Sequence, residues 1–212
     1  MCQRNGVETL IGFYNYTVCL TYAGLLSAVA GMFFAVNGDL RAAVICLLFS
    51  GLCDMFDGKI ARTKKDRTDD EKAFGIQIDS LCDIVCFGAL PAVICLCVGK
   101  DSWLAAAAAG FFVLCGVIRL GYFNVTEETR QKTEGGKREL YTGLPITASA
   151  FFVPLLSCFS KRLGDLYPAA MVILLALLGI LYISPISIKK PGIWGAAIML
   201  CCGAAVLVLL IM

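Results

Sequence analysis

The sequence predicts an all-α fold, a polytopic transmembrane helical bundle of about seven spans with a cytoplasmic N-terminus. Three observations predict it. The 212 residues are 59% hydrophobic and 16% charged, with a mean hydropathy of +0.81, too apolar for a soluble domain, whose surface needs more charge. Residues 9–38, 42–53, 84–99, 102–118, 140–160, 166–188 and 191–212 carry no charge at all. The Lys and Arg residues, finally, fall mostly on one side of the resulting topology.

A spanning helix needs about 20 mostly apolar residues. Extending the charge-free runs across isolated neighbouring charges gives spans near 13–37, 40–61, 74–99, 102–125, 142–160, 166–184 and 192–211. Six or eight spans fit the same pattern. Only Arg4 precedes the first run, which continues for some 25 apolar residues. That is too long for a signal-peptide core, so it is expected to remain as the first span. The segments 1–12, 62–73, 126–141 and 185–191 hold twelve Lys and Arg residues, against Arg41, Lys100, Lys161 and Arg162 on the opposite side. The excess marks the cytoplasmic side. A multi-pass protein of the cell or inner membrane is expected, with membrane lipids as its surroundings.

The organisation is one membrane-embedded domain over 1–212. Residues 62–74 and 126–141 read as solvated cytoplasmic connectors, the second loosened by Gly135-Gly136. Gly24, Ala28, Gly31, Gly88 and Ala89 are small residues of the kind that let membrane helices pack closely. Pro91, Pro145 and Pro154 lie in or near apolar runs, where neighbouring helices tolerate kinks. Most of the twelve cysteines sit inside the apolar runs and read as small buried hydrophobes. The chain has no histidine, which removes His-based catalysis and haem ligation. The net charge of +2 says little about partners by itself, and no nucleic-acid partner is expected.

Four carboxylates break the apolar pattern. Asp54 and Asp57 close the second span, and Asp79 and Asp83 open the third. At about 100° per residue, Asp54 and Asp57 stand about 60° apart, with Gly58 and Ala61 within about 40° of Asp54. Asp79 and Asp83 share a face, with Gly75 one turn earlier. Facing each other, the two helices would gather four acids beside small residues that leave room for a bulky ligand. An intramembrane acid points to function by default. Clustered carboxylates suit hard divalent cations, Mg²⁺ or Mn²⁺. Four can hold two ions and leave one acid partly free as a proton acceptor, with a phosphate-bearing ligand as the natural completion. Asp57 precedes Arg62 by five residues, about 7–8 Å of helix, which puts the cluster just beneath the cytoplasmic interface. Interhelical salt bridges or a cation-transport site are the alternatives at this point.

The pattern of Asp54, Asp57, Gly58, Ala61 and Arg62, followed by Gly75, Asp79 and Asp83, resembles the signature of the CDP-alcohol phosphotransferase family of integral membrane enzymes. Twelve residues separate Arg62 from Gly75 here, where the family more often has eight or nine; the excess lies in a loop, where insertions are tolerated. The flank "GIQIDSLCDIVCFGALPA" (75–92) is similar to that of the family's serine-using branch. So are "IRLGYFNV" (118–125), with Tyr122 in place of a second Arg, and "YTGLPITASA" (141–150). The Pro-Asn that often opens the family's first span is not clearly present.

The resemblance implies transfer of the phosphatidyl group from CDP-diacylglycerol to the hydroxyl of L-serine, with release of CMP, at a site facing the cytoplasm. It implies that Asp54, Asp57 and Asp79 bind the metal ions, with Asp83 contributing and acting as general base. Gly58, Ala61 and Gly75 would leave space for the nucleotide, and Arg62 would hold the diphosphate. Arg119, Lys137 and Arg138 are candidates for the serine carboxylate or a phosphate, Lys137 and Arg138 reading equally as plain positive-inside charge. Family members are often homodimers. Rival expectations are another alcohol acceptor (glycerol 3-phosphate or inositol phosphate) and a cation carrier. Membrane prenyltransferases, another rival, place their acidic motifs far apart, whereas 25 residues separate Asp54 from Asp79.

Overall fold

A computed structural model describes residues 16–61, 68–100, 102–133 and 140–189, together with Gly203, Val206 and Val208. A short 3-10 turn, Tyr16–Val18, leads into α1 (Cys19–Val36), and α2 follows at Leu40–Ala61. The turn between them needs Gly38, whose φ of 86° is left-handed. Asp39 then caps α2, its Oδ1 accepting the Ala42 N–H at 3.0 Å.

The two helices pack backbone against backbone. Gly24, Ala28, Gly31 and Ala35 form the buried stripe of α1. A Cβ at Gly31 would stand 2.9 Å from the Cys46 Cβ and 3.1 Å from the Leu90 methyls, so only glycine fits. Ser50 Oγ donates to Gly24 O at 2.8 Å and Ser27 Oγ donates to Cys46 O at 3.1 Å. Interhelical bonds of this kind stabilise membrane packing, where lipid tails offer no hydrophobic drive.

Helix α3 (Asp69–Asp83) runs through a π-helical stretch, Ile84–Ala89, into α4 (Leu90–Gly99). It starts five residues before the expected span. The reason is a capping box: the Glu71 N–H donates to Thr68 Oγ1 at 3.2 Å, and the Thr68 N–H donates to Glu71 Oε2 at 3.1 Å. Helix α4 is central, packing against α1, α5 and α8, and buries Leu90, Ile94 and Cys95 completely.

Helix α5 (Trp103–Thr133) overruns its expected end at 125 by eight residues. Thr126–Thr133, read as the start of a connector, continues the helix, and its Glu, Gln, Arg and Lys residues are strong helix formers. The fifth expected span, 142–160, is also corrected. Leu140–Thr142 is a strand, β1, paired antiparallel with β2 (Ser187–Lys189). Helix returns only at Ile146–Ala148 and α6 (Ser149–Cys158). Gly143, at φ 80°, makes the break, and a Cβ there would meet Tyr182 O at 2.8 Å. After α7 (Ser160–Leu163) and a 3-10 turn comes α8 (Tyr167–Ile183).

Among the described residues, four helical stretches are long and apolar enough to cross a membrane: Cys19–Val36, Asp70–Gly99, Trp103–Thr126 and Ser160–Ile183. Ile146–Cys158 is apolar but shorter. Helix α2 has the length, 22 residues, yet Arg41, Asp54, Asp57 and Lys59 interrupt its hydropathy. The outer faces are apolar, as at Phe33, Leu114, Val117, Leu177 and Ile180, a surface suited to lipid and not to water.

Candidate active site

The end of α2 and the body of α3 meet at the acids. One carboxylate oxygen from each of Asp54, Asp57 and Asp79 lies within 4.8 Å of the other two. Asp57 is buried, and its carboxyl group lies within hydrogen-bonding reach of that of Asp79. Asp83 stands one turn further along α3, within electrostatic range of Asp54, Asp79, Asp57 and Arg119. The structure thus joins three of the four expected acids tightly and sets the fourth beside them.

Ionised carboxylates at 4.8 Å repel by about 3.5 kcal/mol per pair at an effective dielectric of 20. Three such pairs in a buried site require a cation or a bound proton. Its donors are all hard oxygens, which fit a divalent ion of the Mg²⁺ or Mn²⁺ type. Geometry and donor chemistry therefore agree that the cluster could hold a metal ion.

Around the trio, Gly58 is exposed, with nothing among the described residues within 4 Å of where a Cβ would stand. Gly75 lies in α3 on the approach to Asp79, and Ala61 is the last residue of α2. Arg119 lies in α5 with its Nε buried, in electrostatic range of Asp83 and Tyr182. It is the one expected basic group that the described structure brings to the acids. Arg62, Lys137 and Arg138 lie outside the described residues.

Two contacts were missed in the sequence. Thr21 Oγ1 donates to Asp57 Oδ2 at 3.0 Å, and Ser80 Oγ donates to Asn124 Oδ1 at 3.0 Å. Ser80 and Asn124 stand inside the quoted flanks, although nothing local to either stretch announces that they meet. Buried Cys53, Cys82 and Cys86 border the acids and supply an apolar wall on the core side.

The fold and the site define a class: an integral helical membrane protein with a carboxylate cluster that could hold a metal ion. The particular family follows from comparison. Residues 14–209 match the family model described as CDP-alcohol phosphatidyltransferase, and the chain belongs to that family. It is 34% identical over 149 residues to the CDP-diacylglycerol–serine O-phosphatidyltransferase of Saccharomyces cerevisiae, covering 67% of this chain and 52% of that protein. It is 36% identical over 130 residues to the archaetidylserine synthase of Methanothermobacter thermautotrophicus, covering 59% of this chain and 52% of that one. A Mycobacterium bovis CDP-diacylglycerol–serine O-phosphatidyltransferase is 27% identical over 218 aligned positions, covering 96% and 73%. The chain spans about half the length of the yeast and archaeal relatives it matches.

Proposed function

We propose that this chain is one membrane-embedded catalytic domain that transfers the phosphatidyl group of CDP-diacylglycerol to the hydroxyl of L-serine, giving phosphatidylserine and CMP. The observation that carries the proposal is the Asp54–Asp57–Asp79 trio on two facing helices, in a chain of the CDP-alcohol phosphatidyltransferase family. Serine is the element that the yeast and archaeal relatives' names share, and the lipid is the element in which they differ.

Asp54, Asp57 and Asp79 would hold divalent Mg²⁺ or Mn²⁺, two ions in the full reading, with Asp83 contributing at the edge. Bound there, a divalent ion would supply positive charge for the diphosphate and for the CMP leaving group. Asp83 takes the proton of the serine hydroxyl, a weak nucleophile unaided. The serine oxygen forms its bond to the lipid-bearing phosphorus as the bond from that phosphorus to the CMP oxygen breaks. Arg119 steadies the serine carboxylate or a phosphate and offsets the charge of Asp83. Gly58, Ala61 and Gly75 leave space for the nucleotide in this proposal, and Arg62 holds the diphosphate. Lys137 and Arg138 are further anion contacts in this reading.

The same proposal has seven spans, a cytoplasmic N-terminus and a site facing the cytoplasm. The Lys and Arg distribution supports the orientation. In the last run, Gly203, Val206 and Val208 are helical, and the Val206 carbonyl accepts from Cys158 Sγ at 3.7 Å, which supports a seventh helix packed on α6. The family resemblance adds a homodimer, which mass measurement in detergent tests. Purified protein in lipid, given CDP-diacylglycerol, Mn²⁺ and labelled serine, should form labelled lipid and CMP. CMP release with glycerol 3-phosphate alone would replace serine as the acceptor. A second arm with an ether-lipid CDP substrate separates the two lipid backbones.

A further inference from the structure

We infer that Thr21, on α1, is a positioning residue for the carboxylate centre: it holds Asp57 so that one carboxylate oxygen stays aimed at the cation. The inference rests on the metal reading proposed above. Its starting point is the 3.0 Å bond from Thr21 Oγ1 to Asp57 Oδ2, which crosses 36 positions of sequence. A threonine hydroxyl within a helix ordinarily returns to a carbonyl three or four residues earlier. Here it leaves its own helix and donates to a buried acid on α2. The bond engages one lone pair of Oδ2 and fixes the plane of the carboxylate, whose remaining lone pairs can face the trio.

The register that brings the two residues together is set elsewhere. Gly24 approaches the Cys53 Cβ and Gly31 the Cys46 Cβ, so α1 and α2 run antiparallel with 31 opposite 46 and 24 opposite 53. Continuing that register by one turn sets 21 opposite 56, which leaves Asp57 within reach of Thr21. Ser50 Oγ, bonded to Gly24 O at 2.8 Å, locks the same seam one turn away from the acids. A β-branched side chain has few χ1 states, so a fixed backbone also fixes the hydroxyl. A free carboxylate rotates about its last bond; one tied through Oδ2 is pre-oriented. Outer partners of this kind typically change metal affinity 10–100-fold when removed.

The test uses the full chain in detergent micelles with Mn²⁺ alone, reading the Mn²⁺ concentration that gives half of the thermal shift. Thr21→Val keeps the shape and removes the donor; it should raise that midpoint by about tenfold while leaving the metal-free Tm nearly unchanged. Thr21→Ser should restore the midpoint to within about twofold. Ser50→Ala, in the same seam, should lower the metal-free Tm without moving the midpoint. A wild-type midpoint in Thr21→Val, or a Thr21→Ser as impaired as Thr21→Val, overturns the inference. If Thr21→Val does not fold, the Thr21→Ser and Thr21→Ala midpoints decide it by the same criterion. No Mn²⁺ shift in the wild-type chain defeats the metal reading, and this inference with it.

Discussion

Ser149 Oγ donates a 2.8 Å hydrogen bond to the carbonyl oxygen of Phe87, the oxygen that an α-helical N–H at position 91 would bind were residue 91 not proline. Both residues are buried, Ser149 completely. Pro91 removes a donor, the helix widens to π geometry over Ile84–Ala89, and a side chain from α6 supplies what the backbone cannot. The widened turn begins immediately after Asp83. It lets α3 point its acids at α2 while α4 turns its apolar face to the core.

Ser149→Ala should therefore destabilise the protein by about 1–3 kcal/mol, the usual penalty for orphaning a buried carbonyl. At roughly 2–4 °C per kcal/mol for a chain of this size, thermal unfolding should drop by several degrees. Adding Pro91→Ala returns an N–H to the helix, so the double variant should lose less than Ser149→Ala alone. Equal losses would mean that the serine bond does not answer the proline.

Removing one acid of the trio should have opposite effects with and without metal. In EDTA, Asp79→Asn relieves like-charge repulsion, so its Tm should stay level or rise. With Mn²⁺, the thermal shift should vanish and turnover fall by at least about a hundredfold, the loss of several kcal/mol of transition-state stabilisation. A metal-free Tm well below wild type would show that Asp79 serves packing instead.

No described residue lies within 4 Å of a Cβ at Gly58, so Gly58→Leu has little in the described fold to disturb. It should leave the Tm within about a degree while raising KM for CDP-diacylglycerol several-fold, with a smaller change in kcat. An unchanged KM would take Gly58 out of the nucleotide site.

In the proposed mechanism Asp83, within electrostatic range of the trio and of Arg119, is the general base. Asp83→Asn should abolish turnover while CDP-lipid binding, measured by equilibrium dialysis, largely survives. Lost binding would make Asp83 chiefly a metal ligand.

The acids and the helices that carry them were legible in the sequence because each feature is local. Asp54 and Asp57, three apart, share one helix side, as do Asp79 and Asp83, four apart, and charge-free runs mark spans by length. The start of α3 was missed: Thr68 and Glu71 have capping-box spacing, but the charges around them made the stretch read as a connector. Thr21 was not legible. Its partner is fixed by how Gly24 and Gly31 seat α1 on α2, a property of two segments and not of one. The break at Gly143 escaped for the same reason: residues 140–160 carry no charge, and only the pairing of Leu140–Thr142 with Ser187–Lys189 shows why helix waits until Ile146. Helix α5 ran past its predicted end because hydropathy finds where a membrane stops, not where a helix does.

The central claim is that the carboxylate centre activates CDP-diacylglycerol for attack by serine. The most direct measurement follows CMP and labelled lipid together, from protein reconstituted with CDP-diacylglycerol, Mn²⁺ and labelled serine, with an EDTA control. The account predicts one CMP per labelled phosphatidylserine, both abolished by EDTA and restored by Mn²⁺. CMP release that does not depend on serine, or labelled lipid formed at full rate in EDTA, would contradict it.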